Sequence, residues 1–248
     1  MQGAKMDIES RVATGDVSMF VVESQTSPND RRSLLRLQNL VATGWPGYAY
    51  LEVGSHVGGS IFPHLVDRRC GRIVSIDPRP AAQPDERGVL FPYNDNSAER
   101  MLRILERAAG AGSTAKLEVF TTTTASVRPT EAGPGVRLAL IDAEHTNRAA
   151  FADFASVLRL VEEEAVIAFH DANILIDALW NITTFLRFIN RRHAAFFLPD
   201  TVCAVALGRM VEPATRSLQG VCFDPEAFYQ KSKAWLRTVQ RDLASRTA

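Results

Sequence analysis

Strand-length apolar runs alternate with helical patterns through the middle of this chain, and the series ends in two runs joined by a turn too short to hold a helix. Residues 48–53, 72–76, 116–120, 136–141 and 165–169 read as strands, near-continuously apolar and with helical patterns at 59–69, 97–109 and 147–161 between them. Strands of this kind are buried on both faces, so the alternation predicts a doubly wound α/β sheet that is mostly parallel. A helix over 174–191 then leads to runs at 194–198 and 202–207, separated by Pro199-Asp200. A parallel return needs a crossover of about a dozen residues or more, so these last two of seven strands must form an antiparallel hairpin.

The flanks are less regular. Residues 1–28 lack a clear period; Asn29 or Asp30 is a plausible cap for a helix that places Leu34, Leu35, Leu37, Leu40 and Val41 on one side and stops at Gly44. An amphipathic helix over 225–243 closes the chain. One domain is expected over 1–248, with a helical extension at 1–44, a core at 45–208 and a second helical extension at 209–248. No apolar run is long enough to span a bilayer, the N-terminus has no signal-like apolar region, and Cys70, Cys203 and Cys222 suit a reducing compartment, so a cytoplasmic protein is expected. The 28 basic and 28 acidic residues cancel. That balance argues against nucleic acid or a membrane as partner and favours a small-molecule substrate, with homo-oligomerisation left open.

Chemistry concentrates where the first strand turns into a helix. Glu52-Val53-Gly54-Ser55-His56-Val57-Gly58-Gly59-Ser60 brings glycines and free helix amides to one place, which allows backbone to approach a ligand closely. Gly54 and Gly58 are four apart, unlike the G-x-G-x-x-G of dinucleotide sites, so a nicotinamide enzyme is disfavoured. The acid Glu52 suits a cofactor with a cationic end. The second strand ends at Asp77, about twenty residues past the turn, where a carboxylate can accept from both hydroxyls of a ribose. Either acid alone would be an ordinary strand end at a solvated rim.

These segments resemble the first motif and the following acidic motif of class I S-adenosylmethionine-dependent methyltransferases. With Ile141-Asp142-Ala143-Glu144-His145-Thr146 and Phe169-His170-Asp171 they resemble a subgroup of small bacterial O-methyltransferases that includes metal-dependent enzymes acting on sugars and natural products. The resemblance covers roughly residues 30–208. It implies a seven-stranded Rossmann-like sheet, with S-adenosylmethionine as cofactor. Glu52, Gly54, Ser55, Gly58 and Ser60 would surround the methionine and ribose portion and Asp77 the ribose, while Thr124, Ala125 and Ser126 would stand near the adenine in a Thr-rich loop that departs from the family pattern. Asp142 and Asp171, at adjacent strand ends, would hold Mg²⁺ or another divalent cation, with His170 or Asn173 as a third ligand. His145, three residues past Asp142, stands at the family's position for the general base. Each of Asp142, Asp171 and His145 could equally cap or pack against the helix that follows it.

Tyr93 to Ser97 could face the cofactor, though Asn96-Ser97 reads equally well as a helix cap; His56 reads as a packing residue in the turn, His64 and His193 as surface residues, and Glu162-Glu163-Glu164 as a solvated helix end. The reading that follows is O-methylation of a hydroxyl on a small metabolite, with metal assistance. Metal-independent N- or C-methylation and a non-catalytic cofactor-binding protein are the alternatives.

Overall fold

A computed structural model describes residues 7–247. Asp7 caps α1 (Ile8–Thr14), accepting the Ser10 amide at 2.7 Å, in a stretch whose sequence shows no helical period because the helix is barely two turns long. The expectation for the first six residues lies outside the described region. α2 (Pro28–Gly44) starts two to three residues earlier than Asn29 or Asp30 suggested: Ser27 is the cap and Asp30 closes a capping box with it, Pro28 filling the first helical position. There follow β1 (Tyr48–Val53), α3 (Ile61–Val66), β2 (Cys70–Ile76), a small antiparallel pair β3 (Ala82–Pro84) and β4 (Leu90–Pro92), α4 (Ala98–Ala109), β5 (Leu117–Phe120), α5 (Pro129–Ala132), β6 (Val136–Ile141), α6 (Asn147–Val157), β7 (Val166–Phe169), α7 (Ile176–Phe188), β8 (His193–Phe197), β9 (Cys203–Leu207), α8 (Val211–Leu218) and α9 (Pro225–Thr247).

The main sheet has seven strands in the order β5-β2-β1-β6-β7-β9-β8. β1, β2, β5, β6 and β7 are parallel, and β9 runs antiparallel to both β7 and β8. The doubly wound sheet with its terminal hairpin is therefore the one expected from the sequence. Chain order reverses direction at β1, which has β2 on one side and β6 on the other; ligands of such sheets sit at the carboxyl ends beside that point.

Period-two alternation divides the core into two layers. Tyr48, Tyr50, Leu138, Leu140, Val166 and Ala168 face α2, α3, α4 and α8; Leu51, Val53, Ala139, Ile141, Ile167 and Phe169 face α5, α6, α7 and α9. Phe154 of α6 is fully buried in the second layer, where truncation to alanine would cost about 3–5 kcal/mol. No helix among the described residues is long and apolar enough to cross a membrane.

Several local expectations are corrected. α3 spans six residues, not the whole of 59–69. Asp67 leaves the helix to bind Arg69 and Gln38, and the Lys116 ammonium collects the carbonyls of His64 and Asp67 at the end of the helix together with that of Cys70 at the start of β2. His64 is buried, not on the surface: it stacks on Tyr50 at 3.7 Å and meets the Tyr48 hydroxyl at 2.7 Å, and burial pushes it down to about 3. His193 is half-buried in β8, its Nδ1 on the Arg191 carbonyl. Glu163 is solvated, but Glu162 accepts the Gly135 amide and Glu164 pairs with Arg137 and Arg209. The cysteines are unpaired, Cys70 and Cys203 being buried.

Candidate active site

A cavity of about 350 Å³ opens over the carboxyl ends of β1, β2, β6 and β7. Its floor includes Gly54, Ser55, Ser60, Asp77, Asp142, His145, His170 and Asp171; residues 23–25 and the β3–β4 hairpin wall it in. Two glycines make that enclosure feasible. A Cβ on Gly54, which has a φ of +83°, would lie 2.2 Å from the Asp142 carbonyl, and one on Gly59 would lie 2.2 Å from the carbonyl of Glu23. Gly54 thus lets β1 and β6 converge, and Gly59 lets the N-terminal segment close one side.

At the β2 end, Asp77 is buried and splits its carboxylate between two backbone amides, His56 at 3.1 Å and Arg79 at 2.7 Å. Each oxygen retains a further lone pair. The Arg79 guanidinium stands 3.5 Å from the same carboxylate and also donates to the His56 carbonyl, tying the β2 end to the glycine turn. Ser75 donates to Ser55 at 2.8 Å, fixing a second point between the strands. Asn96 lines the cavity and donates to the Pro80 carbonyl, while Ser97 caps α4 as the sequence suggested.

Five residues expected at the cofactor, Glu52, Gly58, Thr124, Ala125 and Ser126, do not line the cavity. Glu52 is not in the cavity wall. Tyr48, Tyr50 and Glu52 share one face of β1, which α3 covers, so Glu52 is wholly buried beneath the floor and accepts the Tyr50 hydroxyl at 2.5 Å. Burial pushes its carboxyl up to about 8, so it is mostly uncharged at neutral pH and is not the acidic turn expected to face a cation. Gly58 is buried against Leu105 of α4 instead of facing the cavity. Ser126 is exposed and outside the cavity lining, as is Ala125; the neighbouring Thr124 turns inward to donate to Asp153 of α6 at 2.6 Å.

At the other end, Asp142, His145, His170 and Asp171 converge, one ligand atom of each lying within 4.8 Å of the others. His145 Nε2 is 3.2 Å from Asp142 Oδ1 and 3.2 Å from Asp171 Oδ2; His170 Nδ1 is 3.2 Å and 3.3 Å from the same oxygens. Alternation explains much of this. Leu138 and Leu140 put Asp142 in phase with the α2–α3 layer, and Val166 and Ala168 do the same for His170. Asp171 would point away, but its φ of +53° bends the chain and returns its side chain to the cluster. A left-handed non-glycine residue here is local strain of the kind that collects at functional sites. Asn173, the other candidate third ligand, is not among the residues that line the cavity.

Burial pushes the Asp142 carboxyl up, but the His170 and His145 imidazoles beside it more than reverse this, holding it well below the usual carboxylate range. Burial lowers both imidazoles, and the facing carboxylates overcome it, so His145 and His170 lie above the usual histidine range. Two carboxylates and two imidazoles on one rim are a fitting donor set for a divalent cation.

The sequence leaves residues 78–96 as a candidate acceptor region without a readable code, and the hairpin within it was not foreseen. Gln83, Asp85, Arg87, Phe91 and Tyr93 all line the cavity from this insertion, and Asp85 is held there by Arg87 at 2.6 Å. Burial, then the charges of Asp142, Asp171 and Asp77, push the Tyr93 hydroxyl up to about 12. The turn signal Asp85-Glu86-Arg87-Gly88 was the available clue.

Residues 51–172 match the family described as a methyltransferase domain. The chain carries a methyltransferase domain. That match takes in the glycine turn, Asp77 and the whole four-residue cluster, and with the sheet order it makes this methyltransferase an enzyme of the class I architecture. Among solved structures, it resembles cofactor-bound Rv0187 from MTB, at 17% identity and a TM-score of 0.52 over 83% of this chain and 92% of that one. It also resembles the O-methyltransferase from Bacillus cereus in complex with SAH, at 16% identity and a TM-score of 0.51 over 84% and 94%. At these identities the likeness speaks to the fold. No curated relative matches the methyltransferase in sequence.

Proposed function

We propose that this methyltransferase transfers the methyl group of S-adenosylmethionine to a hydroxyl of a small polar metabolite, a sugar or natural product, with help from a divalent cation. The observation that carries the reading is one continuous cavity with Asp77 and the glycine turn at one end and the Asp142–His145–His170–Asp171 cluster at the other. Gly54, Ser55 and Ser60 are assigned to the methionine portion and Asp77 to the ribose.

Methyl transfer from a sulfonium is an in-line displacement that needs alignment of donor and acceptor and removal of the hydroxyl proton. Asp142, Asp171 and His170 would hold the cation, which when bound lowers the pKa of an acceptor hydroxyl. His145 is assigned the proton: its Nε2 stands at the cavity-lining cluster, between two carboxylates that stabilise the imidazolium it becomes. Gln25, Gln83, Asp85 and Arg87 offer donors and acceptors to a hydroxylated acceptor, and Phe91 and Tyr93 offer ring faces.

The direct imidazole–carboxylate contacts also favour a second reading, in which Asp142 and Asp171 simply orient His145 as base and no metal takes part. Turnover of labelled S-adenosylmethionine with a panel of hydroxylated acceptors, in chelator and then with added cation, separates the two. Absence of transfer to any hydroxyl acceptor, with transfer to amines instead, would overturn O-methylation.

A further inference from the structure

His170 touches three carboxylates, and only two of them belong to the cluster. Its Nδ1 faces Asp142 and Asp171, whereas Nε2 points away from the cavity toward Asp30 Oδ2, 3.5 Å distant. Asp30 belongs to α2 and is itself buried, 2% exposed. It is tightly held: Oδ1 accepts the Thr201 amide at 2.8 Å and the Thr201 hydroxyl at 3.2 Å, and Oδ2 accepts the Ser27 amide at 3.2 Å in the capping box. His170 Nε2 has no formed hydrogen bond among the described residues. A shift of a few tenths of an ångström toward Asp30 would make one.

A carboxylate behind one ring nitrogen keeps the proton there and leaves the other nitrogen's lone pair free to ligate, the arrangement by which proteins orient metal-binding histidines. An imidazole donor also changes which ion a site prefers. Mg²⁺ favours oxygen ligands, whereas imidazole suits Co²⁺, Zn²⁺ and their neighbours.

We infer that Asp30 is a positioning residue that fixes His170 as an Nδ1 ligand, and that the cluster is thereby selective for a transition-metal dication over Mg²⁺. This rests on the metal reading above. The site then differs from an all-oxygen Mg²⁺ site in one ligand, and α2, outside the matched domain, contributes to its selectivity.

The test is calorimetric titration of the full chain with CoCl2 and with MgCl2, read as the ratio of the two dissociation constants. Co²⁺ binds most oxygen sites more tightly than Mg²⁺, so the change in ratio on mutation is the informative quantity. His170→Gln, which keeps volume and offers an oxygen, should lower the wild-type preference for Co²⁺ by roughly tenfold or more, and Asp30→Asn should weaken Co²⁺ about 10–100-fold with a smaller effect on Mg²⁺. Asp30→Asn keeps an oxygen for Thr201, and Ser27→Ala serves as control: it disturbs the same cap yet leaves the Asp30 carboxylate, so its ratio should stay at the wild-type value. An unchanged ratio in His170→Gln or Asp30→Asn, or a ratio that falls as far in Ser27→Ala, would overturn the inference while leaving the metal site standing. Absence of binding of either ion to the wild type would overturn the metal reading and this inference together.

Discussion

The imidazole Nε2 of His145 lies 3.2 Å from Asp171 Oδ2, although His145 follows β6 and Asp171 follows β7. Parallel neighbouring strands bring the two ends to one rim, and the left-handed Asp171 completes the approach. If His145 removes the acceptor proton, His145→Gln should lower the rate of methyl transfer by roughly 10²–10⁴ with affinity for S-adenosylhomocysteine nearly unchanged. The acidic limb of the pH–rate profile should vanish in the same variant. Wild-type turnover across the pH range would make His145 structural.

Metal dependence follows from the same cluster. Chelator-treated protein should lose turnover and regain it on addition of a divalent cation, and Asp171→Asn should raise the cation concentration required steeply. Full turnover in excess chelator would favour the reading in which Asp142 and Asp171 only orient His145.

Glu52 gives a pH-dependent stability of definite sign. Its folded pKa, about 8, is above the ordinary carboxyl value of 4.5, so the native state keeps a proton that the unfolded chain releases. Stability is fully present below pH 4.5 and declines as pH rises toward 8. Glu52→Gln removes that decline and should stabilise the protein near pH 7 by roughly 2–3 kcal/mol relative to its effect near pH 4.5. Urea unfolding at the two pH values checks this, and a variant whose effect is the same at both would show that Glu52 is ionised in the fold.

Gly54→Ala should destabilise the protein, because its Cβ would have to occupy space held by the Asp142 carbonyl at a backbone angle side chains rarely adopt. A loss on the order of 1–3 kcal/mol in the same unfolding assay is expected. An unchanged midpoint would show that the β1–β6 contact relaxes freely.

The strands and the terminal hairpin were legible because buried parallel strands are apolar along their whole length, and the rim residues Asp77, Asp142, His145, His170 and Asp171 because they end those strands. What was not legible depends on direction and distance. The position of Glu52 in the motif says nothing of which layer it faces; its phase with Tyr48 and Tyr50 decides that, and α3 then buries it. Ser126 sits in a loop that packs Thr124 onto α6 and leaves the serine in solvent. Asp30 read as a helix cap and instead stands inside the first turn that Ser27 caps, and its approach to His170 crosses 140 residues of sequence and carries no local signal. The β3–β4 hairpin has strands of three residues, too short for a period.

The account rests most heavily on the cavity being a site for S-adenosylmethionine, and calorimetric titration with S-adenosylhomocysteine tests it most directly. The wild type should bind at a single site, and Asp77→Ala should lose about 1.5–3 kcal/mol of that binding, the worth of hydrogen bonds to a charged group. A thermal melt of the unliganded variant controls for the loss of the His56 and Arg79 amide contacts. Undiminished affinity in Asp77→Ala would take the residue out of the site, and no binding by the wild type would contradict the account as a whole.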